Sequence, residues 1–248
     1  TNSGRSVSDY MYMDGSIDYQ RLFKLPGRML TLSYKLNGGT DKGDYNSAYD
    51  VMEVTDDWRA FMNRLRDERR DDDGRSMEHT LQVDYTTPIA KAHTMEMGVK
   101  YIFRDNRSND DRYIRPNGTS DEYVFDDEYS THYRHENDIL AAYLGYGLKL
   151  GKLSGRLGVR YEHTFQKIKY ALGVGESFST DFDDVVPSVS LGYRLNDAQS
   201  LRLGYNMRIY RPGIWSLNPY LDQTNPESLS QGNPNLVSEK NHNVQFTY

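Results

Sequence analysis

The sequence of 248 residues contains no cysteine, which excludes a disulfide-stapled scaffold and a thiolate metal centre without fixing the compartment. It also lacks any run near ~18 consecutive apolar residues, so no membrane-crossing helix can be read in it. A basic excess is missing too. Lys and Arg number 30 against 36 Asp and Glu, a net charge of −6, where a general nucleic-acid binder carries a basic surface. Only 37% of residues are hydrophobic and the mean hydropathy is −0.82, low for a globular chain. Enzyme motifs are absent: there is no G-x-S-x-G elbow, H-E-x-x-H or P-loop, and Gly145, Gly147 and Gly151 miss the dinucleotide spacing. His132 and His135 stand three apart, which on a strand sends them to opposite faces. No catalytic residue and no resident cofactor is expected.

What the chain does have is alternation. Leu201, Leu203, Tyr205, Met207 and Ile209 share one face, and Arg202, Gly204, Asn206 and Arg208 the other. The same period of two runs through Leu30–Leu36, Leu81–Tyr85, Met95–Phe103, Leu140–Leu150, Arg156–Tyr161, Ser188–Leu195 and Val244–Tyr248. The reading is an all-β chain of about nine strands, several reaching the ~9–11 residues that a tilted strand needs to cross a bilayer. Short connections at 24–28, 86–92, 151–153 and 196–199 alternate with long ones at about 38–77, 105–134, 170–185 and 211–239. All tight turns then lie at one end of an antiparallel up-and-down sheet and all long loops at the other. Transmembrane barrels have this asymmetry, with short periplasmic turns and long extracellular loops. A soluble β-sandwich binding carbohydrate or protein remains the alternative, with Leu203, Tyr205 and Met207 packed on a second sheet.

In the barrel reading, the polar face lines the interior. Its candidate lumen residues are Asp84, Glu96, Lys100, Arg156, Arg160, Glu162, Arg194, Arg202 and Arg208. The segment from Glu53 to Arg75 holds eight acids and six arginines, with Trp58, Phe61 and Leu65 at helical spacing behind Asp56 and Asp57, which predicts a short amphipathic helix. The acids of 105–128 could hold calcium, although a solvated charge run is the simpler reading. Trp58, Tyr113, Tyr123, Trp215 and Tyr220 are the loop aromatics able to contact a ligand, since flat amphipathic rings suit sugars and chelates; loop packing is the alternative role for each.

One segment is more specific. Arg211-Pro212 ends a strand and is followed by Leu217-Asn218-Pro219, then Gly232-Asn233-Pro234-Asn235-Leu236, then Glu239. The prolines and asparagines start turns, and Gly232 permits positive φ. This order resembles TonB-dependent outer-membrane receptors, particularly the outer-membrane β-barrel proteins typical of Bacteroidetes. Ser238 stands where that family usually has proline. The resemblance implies a 22-stranded barrel with an N-terminal plug, moving a scarce nutrient inward with energy relayed by TonB. Residues 1–248 then form a portion of the barrel domain, without plug or signal peptide. The implied partners are outer-membrane lipid, the TonB complex through the plug, a surface lipoprotein, and a small-molecule or oligosaccharide ligand, with no nucleic acid. A passive porin-like channel is the alternative within the same fold.

Overall fold

The computed structural model describes residues 2–49, 66–116, 122–173, 175–218, 221–222, 230–233 and 235–248. One antiparallel sheet dominates, in the order β1(Asn2–Leu22), β2(Met29–Tyr49), β3(Arg66–Ala90), β4(His93–Pro116), β6(Thr131–Leu150), β7(Leu153–Leu172), β8(Phe178–Arg194), β9(Ser200–Tyr210) and β12(Glu239–Thr247). The two-residue β5(Val124–Phe125) pairs with β4. A single helical turn, α1(Ile214–Leu217), and the small hairpin β10(Leu221–Asp222)–β11(Ser230–Gln231) follow β9. Neighbours along the sheet are neighbours in sequence, the up-and-down arrangement that the alternating connections predicted. Among the described residues the only other sheet is the two-residue hairpin β10–β11, too small to cover the apolar face, and Leu203 stays exposed, which removes the sandwich.

The loops differ most from expectation. The long connections are largely strand. β3 begins at Arg66 and β4 runs to Pro116, paired residue for residue, Asp67 with Arg115 and Arg75 with Arg107. The charged stretches of 66–75 and 105–116 are therefore sheet. Their composition concealed this, because acids and glycines are poor strand formers and apolar alternation stops at Phe103. Pairing holds them instead. The predicted helix lies mostly at 53–65, outside the described residues. The segment above Phe103 is stitched by ion pairs: Arg115 reaches Asp67 at 2.6 Å, Arg112 reaches Glu68 at 3.0 Å, and Arg134 reaches Asp105 at 2.7 Å. The Arg134 guanidinium holds the Asp105 carboxyl below its ordinary value. Opposed like charges also occur, such as Asp72 across from Asp110; desolvation and that neighbour push Asp72 up. Arg70 relieves the crowding by bonding Asp110 through Nε at 2.7 Å.

Register divides the sheet into two faces. One carries Met95, Met97, Val99, Tyr101 and Phe103 on β4, beside Tyr85, Val83 and Leu81 on β3 and Tyr146, Leu144, Ala142 and Leu140 on β6. Nine residues span roughly 30 Å along a strand, about 23 Å in height at a tilt near 40°. A girdle closes the band above. Tyr34 on β2 lies 2.9 Å from His79 on β3; Tyr101 on β4 donates to Asp138 on β6; Tyr161 on β7 donates to Asp183 on β8 at 2.5 Å; and Tyr205 on β9 lies 2.9 Å from His242 on β12. Each of these four tyrosines sits on the rising strand of its hairpin. Directly opposite is an apolar residue (Leu81, Leu140, Val185 or Val244), and the polar partner is two positions further on. Above Phe103, β4 stays paired with β3 for a further 13 residues, to Pro116 opposite Arg66, roughly 40 Å along the strand.

Leu144 lies mid-band on the apolar face. Leu144→Arg should cost about 2–4 kcal/mol in phospholipid vesicles, read by urea unfolding. Arg in place of Gln245 on the opposite face of β12 should change stability by less than about 0.5 kcal/mol.

Candidate functional site

The other face bears the candidate lumen residues. Register sets Glu96 beside Gly145 and Gly158, Lys100 beside Ala141 and Glu162, and Arg160 beside Tyr143 and Val186. Asp84, Arg156, Arg194, Arg202 and Arg208 share this face by the same pairing. It lines an open cavity of about 940 Å³ reaching from Gln82 on β3 to Arg208 on β9. Tyr143 crosses its floor over Gly98 to meet Gln82 Nε2 at 3.4 Å. A Cβ on Gly98 would collide with the Tyr143 ring and sit 2.7 Å from the Val83 carbonyl oxygen, so glycine is what lets the ring lie flat.

The polar face also holds an apolar pad. Ile139, Ala141, Ile168, Phe182 and Val186 are buried on it. Alternation alone misses this pad. Its signal is paired apolar neighbours, Ile139-Leu140 and Val185-Val186, where both faces of a strand are apolar at once.

The segment after β9 folds onto this pad. β8 pairs with β9 only from Ser188 to Arg194, so the two strands part above that point. Met207, expected to face outward, is buried in the fork and lines the cavity. Arg211 enters the fork and bonds Glu162 Oε2 at 2.7 Å, with Asp184 Oδ2 at 3.4 Å. Arg160 holds the other Glu162 oxygen, and Ser238 Oγ donates to Asp184 at 2.8 Å. Glu162 and Asp184 are both buried, so each carboxylate needs these partners. Leu217 is 0% exposed. Asn218 contacts the Tyr170 hydroxyl at 3.4 Å, while its carbonyl accepts Gly232 N–H at 2.8 Å. A Cβ on Gly232 would lie 2.4 Å from that carbonyl. Asn233 donates to the Ser216 carbonyl at 2.8 Å and its side chain accepts Asn235 N–H at 3.0 Å, an Asx turn closing at Leu236. Glu239 opens β12 opposite Tyr210. Pro212 follows the latch arginine, whereas Pro219 and Pro234 lie outside the described residues.

The aromatics separate from this site. Tyr113 stands in β4, packed edge-on against Phe125 and covered by Arg69; Tyr123 lies under Arg115. Trp58 and Tyr220 are outside the described residues, as is the side chain of Trp215 in α1. The acids of 105–111 face arginines and His132. Among the described residues, the one cluster of three metal-ligating side chains is His163, Asp181 and Asp183 on the outer face.

A continuous antiparallel ladder, apolar outside and charged around a cavity inside, defines a transmembrane β-barrel wall. The chain belongs to the Outer membrane protein beta-barrel family, whose model matches residues 21–248, and its place is the outer membrane. Among solved structures, the unliganded ferric citrate transporter FecA is 13% identical with a TM-score of 0.44, covering 75% of this chain and 29% of FecA. The alcaligin outer-membrane receptor FauA of Bordetella pertussis is 15% identical with a TM-score of 0.43, covering 85% of this chain and 43% of FauA. The chain thus spans less than half of either. Comparison with curated proteins finds no match.

Arg211→Ala should leave Asp184 without its guanidinium and Glu162 with only Arg160, costing about 3 kcal/mol. Amide exchange at Asn233 and Ser238 should accelerate with it, and Arg211→Lys should recover part of the loss. A pH effect comes from His135, which lies above the apolar band, 3.3 Å from Gln166 Oε1. Burial holds its pKa below the ordinary 6.5, and the Arg104 charge adds to this. The unfolded chain therefore takes up a proton before the folded one does. Stability is complete above about pH 6.5 and declines as pH falls from there toward the folded value. Urea titrations between pH 7.5 and 5.5 should show the decline, and His135→Gln should flatten it.

Proposed function

We propose that this chain is part of the barrel wall of a TonB-dependent outer-membrane receptor, working in energy-coupled uptake and performing no catalysis. The observation that carries this reading is the Arg211 latch. The residues of the receptor-like signature converge at one place, where Arg211, Leu217, Asn218 and Gly232 fold a long connection inward onto the lumen wall. Ser238, the departure from that pattern, supplies a hydroxyl to Asp184 that proline could not. A wall thickened in this way around a charged cavity gives a plug a polar seat.

In this reading the charged lumen face seats the plug, and the apolar face meets lipid. The strands that project above the girdle form the surface on which a small molecule or oligosaccharide is captured, with or without a surface lipoprotein. The test is the full-length protein. It should be closed to ions in a planar bilayer, and uptake of its ligand should cease in cells lacking TonB. Steady ohmic conductance of the full-length protein would instead favour the porin-like channel.

A further inference from the structure

The charge on the lumen wall is not evenly spread. Around β4 to β9, Arg156 is neutralised by Glu96, Arg104 by Glu78, and Arg160 and Arg211 by Glu162. Lys100, Arg194, Arg202 and Arg208 remain on that wall with no carboxylate partner among the described residues. The wall formed by β1 to β3 has the opposite excess. Asp14, Asp18 and Asp84 face inward there, bonded at most to neutral groups: Ser33 donates to Asp18 at 2.5 Å and Gln82 to Asp84 at 2.8 Å. Lys35 is the one inward cation beside them among the described residues.

Lys100, Arg202, Asp18 and Asp84 lie on the face behind the apolar band, where a low-dielectric wall screens charge poorly, and Arg208 and Asp14 lie just above the girdle. Four free cations on β4 to β9 and three free carboxylates on the adjoining β1 to β3 leave the lumen face with a polarity that runs across the sheet. An occupant of matched polarity gains along both parts of the sheet; one rotated so that its acidic side meets β1–β3 finds like charge there.

We propose that the lumen wall sets the rotational orientation of its occupant: a polypeptide plug presents an acidic surface to β4 and β9 and a basic surface to β1–β3. This rests on the receptor reading above and adds to it the sign of each face. Lys100 and Arg208 recognise the acidic side. Asp14, Asp18 and Asp84 recognise lysines and arginines.

This chain contributes no cysteine, and once any cysteine elsewhere in the full-length protein is replaced by serine, single cysteines report one position each. Thr31→Cys faces inward beside Asp84 on the acidic wall, and Ser188→Cys faces inward beside Asn206 on the cationic wall. Each is treated in detergent with a short maleimide–succinimide linker, which joins the thiol to a nearby lysine, and the conjugated tryptic peptides are identified by mass spectrometry. Plug lysines should be captured at least fivefold more from Thr31→Cys than from Ser188→Cys. Equal capture, or the reverse preference, overturns the orientation while leaving the receptor reading intact. A full-length protein that holds no plug, with both cysteines open to bulk reagent and the pore conducting, overturns the receptor reading and the orientation together.

Discussion

Inside hydrocarbon, a backbone N–H without an acceptor costs several kcal/mol, and the architecture follows from avoiding that cost. Each strand from β2 to β9 is paired on both sides within the band, so every residue there must lie in the extended conformation and its side chains must alternate between faces. Lipid takes one face and the lumen the other. Mean hydropathy is low because half of each strand is selected for the wet side, not because the chain is soluble.

The same ladder explains why acidic sequence can remain sheet far above the membrane. Once β3 and β4 are held in register through the band, extending the pairing upward adds hydrogen bonds without any new loop-closure cost. The opposed aspartates and arginines need only be arranged so that diagonal partners offset them. Where the ladder does break, at the fork between β8 and β9, a buried ionic cluster takes over. Glu162 and Asp184 would be costly there without Arg211, and Arg211 is held at the fork by the chain leaving β9. Pairing of strands and pairing of charges are alternative ways of satisfying one wall.

Much of this was legible in the sequence. Alternation at Leu201–Ile209 and Met95–Phe103 gave the strands and their faces, and the turns at 24–28 and 196–199 gave the up-and-down order. The receptor-like signature marked where a structured segment would be. Strand ends were not legible, because above Phe103 and below Met77 pairing is held by partner and register rather than by apolar period, and composition reads such segments as loop. The pad of Ile139, Ile168 and Phe182 was hidden for a related reason: a buried inward residue breaks the alternation that identifies the wall. The ring positions of Tyr113 and Tyr123 depend on which arginine lies across the sheet, information that no local window contains.

The four girdle tyrosines also contain a measurement. Tyr34 and Tyr101 occupy one rung of the ladder, Tyr161 the next below, and Tyr205 lies six residues lower than Tyr101 by register. If all four float at one water line, that line descends six residues while crossing six strands from β2 to β9. With ~3.3 Å per residue and ~4.8 Å per strand, the slope corresponds to strands leaning roughly 35° from the membrane normal, within the range of closed barrels. The stagger of a few phenols thus encodes the lean of the whole wall, and with it the pitch at which any further strand must join.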